Sequence, residues 1–307
     1  SGIRTEKGPN SLKGTPVFKD SLLTDHEPSH VFSGSAKDAI AQILTNSRMC
    51  AEGHRPICQD TGIVVVFLKV GMDVRWDATM SLQEMVDNSR SMQEVIDEGV
   101  RRAYLEPTNV LRASIVADPA FSRKNTRDNT PAVVHTEIVP GNTVEVKLAA
   151  KGGGSENKTK FAMLNPSDSI VDWVLKTVPT MGAGWCPPGM LGIGIGGPAG
   201  EAMLMAKESL MEHIDMGQLK ARGPQNKIEE LRIELHDKIN ALGIGAQGLG
   251  GPSTVLDVKI FDYPTHAASK PIAMIPNYAA TRHAHFTLDG SGVAQLPIPK
   301  LSDWPAV

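Results

Sequence analysis

Aromatic side chains are scarce in this chain, at 5% of 307 residues. Proteins that stack on single-stranded nucleic acid need such rings, so that class of partner is disfavoured. Charge of one sign is also lacking: the formal net charge is −3. Nothing in that balance draws the protein to DNA or to a membrane surface. Basic residues are scattered, apart from the run Arg123-Lys-Asn-Thr-Arg127. No apolar run reaches the roughly 18–20 residues of a membrane span, and nothing at the start resembles a signal peptide. The expectation is therefore a cytoplasmic protein with no membrane and no nucleic-acid partner. Only three cysteines are present, and in a reducing compartment they are expected to be free, metal-bound or catalytic, not paired.

What the chain does have is a globular composition, 41% hydrophobic and 21% charged, and 29 glycines. The glycines are clustered, which marks places where backbone must come close to something. Residues 1–34 are polar, with little periodicity, and read as an N-terminal arm. A first helix is predicted over Ala36–Glu52, with Ile40, Ile43 and Leu44 on one face. The run Ile63–Val70 is nearly all apolar and reads as a strand buried on both sides. A long helical stretch covers 80–105. Strands follow at Leu111–Val116, Ala132–Val139 and Thr143–Ala149, the last two joined by Pro140-Gly-Asn142, which reads as a hairpin turn. Further helices are expected at Ser167–Val178, Ala199–His213 and Asn226–Leu242, the last with Glu229, Glu230, Arg232, Glu234 and Lys238 on a solvated face. Strands are expected at Met190–Ile195, Val255–Asp262, Ile272–Ile275 and His283–Leu288, before a proline-rich end. No clean linker is visible, so 35–307 reads as a single α/β domain of mixed β-sheet with flanking helices, not a standard Rossmann fold.

The glycine segment from Leu191 to Gly200 follows a strand and opens a helix, which superficially matches a dinucleotide fingerprint. Its glycines fall at 192, 194, 196, 197 and 200, which is not G-x-G-x-x-G, and no acidic ribose partner follows at the usual interval. A strand-to-helix turn offering amide N–H groups to an anion or cluster is the more general reading. The segment Lys151-Gly-Gly-Gly-Ser-Glu-Asn-Lys158 permits close approach of backbone to a ligand and supplies donors for carboxylate or phosphate. A flexible surface loop is the alternative.

The stretch Arg55-Pro-Ile-Cys-Gln-Asp-Thr-Gly62 sets a thiol two residues before a carboxylate, where a loop enters a strand. Thiolate is a soft ligand or nucleophile, aspartate an acid–base group. A buried cysteine beside a turn aspartate would explain the stretch equally well. Cys50, on the first helix, reads as a packing residue. Cys186, between Gly184-Trp185 and Pro187-Pro188, stands in a rigid irregular loop and is with Cys58 the better ligand candidate. His266 follows a strand. His283 and His285 alternate on another, read as exposed and able to contribute to an interface.

Taken together these segments resemble a known family. Arg55–Gly62, Lys151–Lys158, Gly184–Pro188, Gly243–Gly251, and Thr265–Ser269 with Ala279–His283 occur in the order found in the iron–sulfur hydro-lyases, which include class I fumarate hydratases and the α subunit of L-tartrate dehydratase. The resemblance spans about residues 36–305. It implies a hydro-lyase that hydrates fumarate to malate, with tartrate dehydration or non-catalytic dicarboxylate binding as alternatives. It implies a 4Fe–4S cluster held by three cysteines, with one iron acting as Lewis acid on the departing hydroxyl. Cys58 and Cys186 match two of those ligand positions; the third holds Tyr278. Phenol, with an unperturbed pKa of about 10, is a harder ligand than thiolate. An inactivated or engineered member, a substituting phenolate, or a different third ligand are the readings, and a weakened or absent cluster is favoured. By the same resemblance Asp60 is the acid–base residue and Gln59 its polar neighbour. Arg112, Gly154 and His266 hold the dicarboxylate, and His266 is also a candidate catalytic residue. A β-type C-terminal domain or subunit and a homodimer are the implied partners.

Overall fold

The computed structural model describes residues 34–53, 55–76, 91–109 and 111–291. The expected arm, most of the first half of the 80–105 helix and the proline-rich end lie outside them. The chain divides into two compact units. In the first fall Cys58–Lys151 and the stretch that begins at Arg282; in the second fall Gly152–Thr281 and the residues up to Ile57. The α/β class with mixed sheets is borne out.

The first unit is built on a four-stranded sheet. Its strands are β1 (Ile63–Gly71), β2 (Val133–Val139), β3 (Val144–Lys151) and β8 (His283–Leu288), in the order β2-β1-β3-β8. β1 runs parallel to β2 and antiparallel to β3, and β3 is antiparallel to β8. A helix (Met92–Leu105) covers one face. It starts at Ser91, whose hydroxyl accepts from Glu94 N while Glu94 returns a bond to the Ser91 backbone, a capping box that satisfies two otherwise orphan donors. Its Val100 and Tyr104 pack on Val64, Val66, Leu68 and Val146.

Three expectations need correction here. The link 140–142 does not close a hairpin, because β1 lies between β2 and β3. Gly71 N donates to Thr143 O at 2.9 Å and Met72 N to Val139 O at 2.8 Å, so the link arches over the end of β1. Turn chemistry signals a reversal of direction; it does not say which strand fills the gap. Leu111–Val116 forms no strand apart from a bridge between Val116 and Asn125. Its polar backbone groups go elsewhere, Ser114 N donating to Asn129 Oδ1 at 2.8 Å. His283, opposite Ala149 in the pairing of β8 with β3, is buried, not exposed.

The second unit carries the other sheet, of β4 (Lys160–Leu164), β5 (Gly189–Gly196), β6 (Val255–Tyr263) and β7 (Lys270–Asn277), in the order β4-β7-β5-β6. With the helix of the first unit numbered α2, the second unit holds α1 (Gly34–Glu52), α3 (Gly153–Glu156), α4 (Ile170–Thr177), α5 (Ala199–Ser209), α6 (Met216–Arg222) and α7 (Lys227–Asn240). On one face of the sheet Val174, Trp185, Leu191, Ile193, Leu235 and Ile239 form the main core. On the other, Ala202, Ala206 and Leu210 pack on Met190, Ala273 and Ile275. Helix starts follow cap residues: Ser169, Asp215 and Asn226 each accept from a backbone N–H three residues on.

Strand β4 and helix α6 escaped the sequence reading, one being five residues and the other seven, too short for a period to register. Arg232 is also corrected. It is 4% exposed and donates to Val258 O, Ile214 O and Asp257, so it faces the sheet and not solvent. A charge in a helical run of charges carries no mark of facing a carboxylate on a distant strand.

Candidate active site

In the first unit the chemistry-bearing turn is Cys58–Gly62. Its geometry starts from Gly62, at φ +76°, where a side chain is strained. A Cβ there would also stand 2.8 Å from the Lys151 carbonyl oxygen. Only glycine lets the turn lie against β3. The carbonyls released by the turn are taken up by side chains. Tyr104 Oη donates to Thr61 O at 2.8 Å, and Asn129 Nδ2 donates to Gly62 O at 3.1 Å. Thr61 Oγ1 pairs with Ser114 Oγ at 2.9 Å. Arg282 donates to the backbone carbonyl of Asp60.

Asp60 is half-buried, and one of its carboxylate oxygens accepts from Gly62 N at 3.1 Å. Its neighbour Gln59 is exposed and receives the Cys58 thiol at 3.3 Å. Arg282 is 2% exposed, and its Nε is a buried polar atom with no hydrogen-bond partner among the described residues. Such a group has given up water without a replacement, which costs about 1–3 kcal/mol. Burial pushes the Tyr104 phenol up to about 12, with Arg282 pulling the other way and Asp60 adding to the rise. Both Arg282 and Asp60 therefore lie within electrostatic reach of the ring. Arg112 is exposed on the irregular segment after α2. The turn thus presents a carboxylate, a thiol and a side-chain amide on a backbone fixed from behind.

In the second unit the Gly152–Gly154 segment leads into the single turn α3. Tyr278, on the link after β7, is 8% exposed, and a Cβ on Gly154 would fall on its phenol oxygen. The phenol therefore caps the side-chain face of Gly154. A Cβ on Gly184 would meet Lys158 Nζ at 3.1 Å, so the lysine at the end of the glycine motif lies along Gly184. Cys186 follows two residues later at φ +54°, exposed, its N–H donating to Ala183 O at 2.9 Å. Gly154, Tyr278, Lys158 and Gly184 are thereby brought together. His266 is exposed in the turn after β6. Its Nδ1 accepts from Ala268 N at 3.1 Å, which leaves the ring proton on Nε2.

Among the described residues the chain passes between units at Ile57/Cys58, Lys151/Gly152 and Thr281/Arg282, and each of these points lies inside one of the motifs picked out from the sequence. Cys50 is not among the site residues. Its thiol lies 3.4 Å from Pro56 O, and burial raises it above its ordinary range against a smaller opposing pull from Arg55. The residues that sequence reasoning passed over are Tyr104, Ser114 and Asn129. They stand in none of the motifs, and only the groups of the turn in need of a partner identify them. Asn129 had one local mark, a left-handed backbone at φ +61° in a residue type that tolerates it.

Residues 26–287 match the fumarate hydratase (Fumerase) family. The chain belongs to that family. A candidate L(+)-tartrate dehydratase alpha subunit from Methanocaldococcus jannaschii is 36% identical over 257 residues, 81% of this chain and 84% of the relative. The anaerobic class I fumarate hydratase of Escherichia coli K12 is 28% identical over 277 residues, 87% of this chain but 47% of that enzyme. The L(+)-tartrate dehydratase alpha subunit of E. coli UTI89 is 28% identical over 235 residues, 76% and 72% of the two chains. The family makes this chain a hydro-lyase. Among the described residues no helix is long and apolar enough to cross a membrane.

Members of the Fumerase family are generally iron–sulfur dependent, and the donor set here can be tested against that. A three-thiolate set needs three soft ligands. The described residues offer thiols at Cys58 and Cys186 and a phenol at Tyr278, and no group of three His, Cys, Asp or Glu side chains gathers anywhere among them. The phenol is spoken for as well, lying on Gly154. The residues present do not fit a three-thiolate cluster.

Proposed function

We propose that this chain is the α-type catalytic part of a fumarate hydratase, working on the fumarate–malate pair together with a β-type domain or subunit. The observation that carries the reading is the Asp60 turn. A carboxylate is fixed by Gly62 N, its peptide is gripped by Arg282, and a buried phenol bonds the carbonyl of the next residue, Thr61. A carbon beside a carboxylate gives up its proton reluctantly, and a positioned base contributes typically 10²–10⁴-fold. Asp60 is that base. Gln59 is its polar neighbour, and Arg112, Gly154 and His266 hold the substrate carboxylates, the arginine by paired hydrogen bonds and the glycine by its amide. His266, with its proton on Nε2, would serve as a donor to one of those carboxylates.

Isothermal titration of the whole chain with fumarate and malate tests the binding half. In the Tyr278→Cys chain with its partner supplied, Asp60→Asn is expected to abolish turnover while keeping dicarboxylate affinity within tenfold, about 1.4 kcal/mol. A larger loss of affinity would contradict the assignment of Asp60 to proton transfer. Turnover is read in the Tyr278→Cys chain with a β-type partner supplied under anaerobic reconstitution; absence of fumarate hydration there rejects the reaction.

A second reading, the alpha subunit of an L-tartrate dehydratase, is supported by coverage. The chain spans 84% of the archaeal relative and 47% of the fumarate hydratase. Tartrate in the same titration separates the two. Tyr278 supports a third reading, a dicarboxylate-binding member without turnover. Binding without hydration even after cysteine and partner are restored would select it.

A further inference from the structure

We propose that Tyr278 is a plug and not a substitute ligand, and that its ring is what keeps this chain from holding a 4Fe–4S cluster. The proposal rests on the family reading above, in which Cys58 and Cys186 supply the other two thiolates. A cysteine sulfur is bonded directly to Cβ, so a metal bound to it sits one bond length beyond, about 2.3 Å for a thiolate. In tyrosine the first ring carbon stands where that sulfur would be, and the rest of the ring extends outward through the volume the metal would need. Here the ring is buried, at 8% exposure, and its hydroxyl ends on the side-chain face of Gly154. A buried ring seated against backbone has no room to swing aside, since interiors are packed with few voids. Nor can the phenol oxygen take the sulfur's part, because it lies far beyond the sulfur position and is a hard donor where soft ones are needed. Ligand loss and loss of space follow from one residue.

Removing the ring and restoring the sulfur should therefore reverse both. The experiment compares the whole chain as wild type, Tyr278→Phe and Tyr278→Cys. Each is incubated anaerobically with ferrous iron, sulfide and reductant, desalted, and analysed for iron, acid-labile sulfide and visible absorbance. Wild type and Tyr278→Phe are expected to keep less than about a tenth of cluster stoichiometry, while Tyr278→Cys approaches four iron and four sulfide per chain. A wild-type chain that loads fully overturns the proposal, whatever the variants do. Iron retained by wild type and lost in Tyr278→Phe overturns it too, because the phenol would then be a ligand. A folded Tyr278→Cys chain, checked by circular dichroism, that stays empty overturns Tyr278 as the determinant. Dicarboxylate titration on the same wild-type sample is read separately. Its failure would reject the functional reading and leave the metal counts standing.

Discussion

The two units secure their functional loops by opposite means. In the first, polar side chains reach the loop: Tyr104, Asn129, Ser114 and Arg282 each hold a named backbone or hydroxyl group of the turn that carries Asp60. In the second, side chains are removed so that backbone can close on backbone. A Cβ on Gly192 would fall on the Ala206 carbonyl oxygen, and one on Gly194 on that of Ala202, so α5 rests directly on β5. The glycine run that superficially matched a dinucleotide fingerprint is a packing seam. The lesson is that a dense glycine motif and a dense polar motif serve the same end, a backbone that does not move, and only neighbours separate packing glycines from those at a ligand.

The largest effect that could break this contrast is in the seam. Gly194→Ala should destabilise the chain by about 3 kcal/mol or more, since overpacking costs typically 1–3 kcal/mol and here the obstacle is helix backbone. Gly200→Ala, six residues on, has nothing within 4 Å of the added methyl and should be neutral or slightly stabilising. Urea midpoints measure both, and similar midpoints for the two would dissolve the packing account.

Next in size is Asn129→Ala, in the polar unit. Asn129 is fully buried and bonds both Gly62 O and Ser114 N. Its loss leaves Ser114 N without its partner and Gly62 O with only the long 3.5 Å bond from Ser114 Oγ, and should cost about 2 kcal/mol. An alanine variant as stable as wild type would show that water replaces the amide and that the turn is not held from behind.

The smallest effect separates the two units by pH. The Tyr104 phenol stands near 12 in the folded chain and about 10 when unfolded. The folded state thus binds this proton more tightly, so the stabilisation is whole below pH 10 and falls as pH rises from 10 towards 12. Tyr104→Phe should cost about 1 kcal/mol at neutral pH, through the lost bond to Thr61 O, and should flatten the decline above pH 10. Thermal melts across that range decide it, and an unchanged alkaline slope in the phenylalanine variant would remove Tyr104 as its source.

Much of this was legible beforehand because it is local. Ile63–Gly71 is apolar but for Lys69 and is a largely buried strand. Among the described residues, four of the seven α-helices start at cap residues whose side chains accept from amides three positions on. The motif order carried the family, as the match over 26–287 bears out. What was misread is non-local. The 140–142 link has hairpin chemistry, but β1 occupies the place between its strands. Arg232 looks solvated in the helix and is buried against Asp257, 25 positions away. His283 alternates with His285 as a surface pair would, yet it is buried.

By itself the sequence determined the family, the elements long enough to show a period, and the presence of Tyr278 at the position the resemblance gives to a third thiolate. Each is a property of one residue or of near neighbours, set by side-chain chemistry and backbone propensity. Only the tertiary structure decided that the ring of Tyr278 lies on Gly154, that Arg282 grips the Asp60 peptide, and that Gly192 and Gly194 face a helix. Those contacts join residues between 8 and 222 positions apart, and which buried surfaces meet at such separations is fixed by packing of the whole unit, not by any stretch within it.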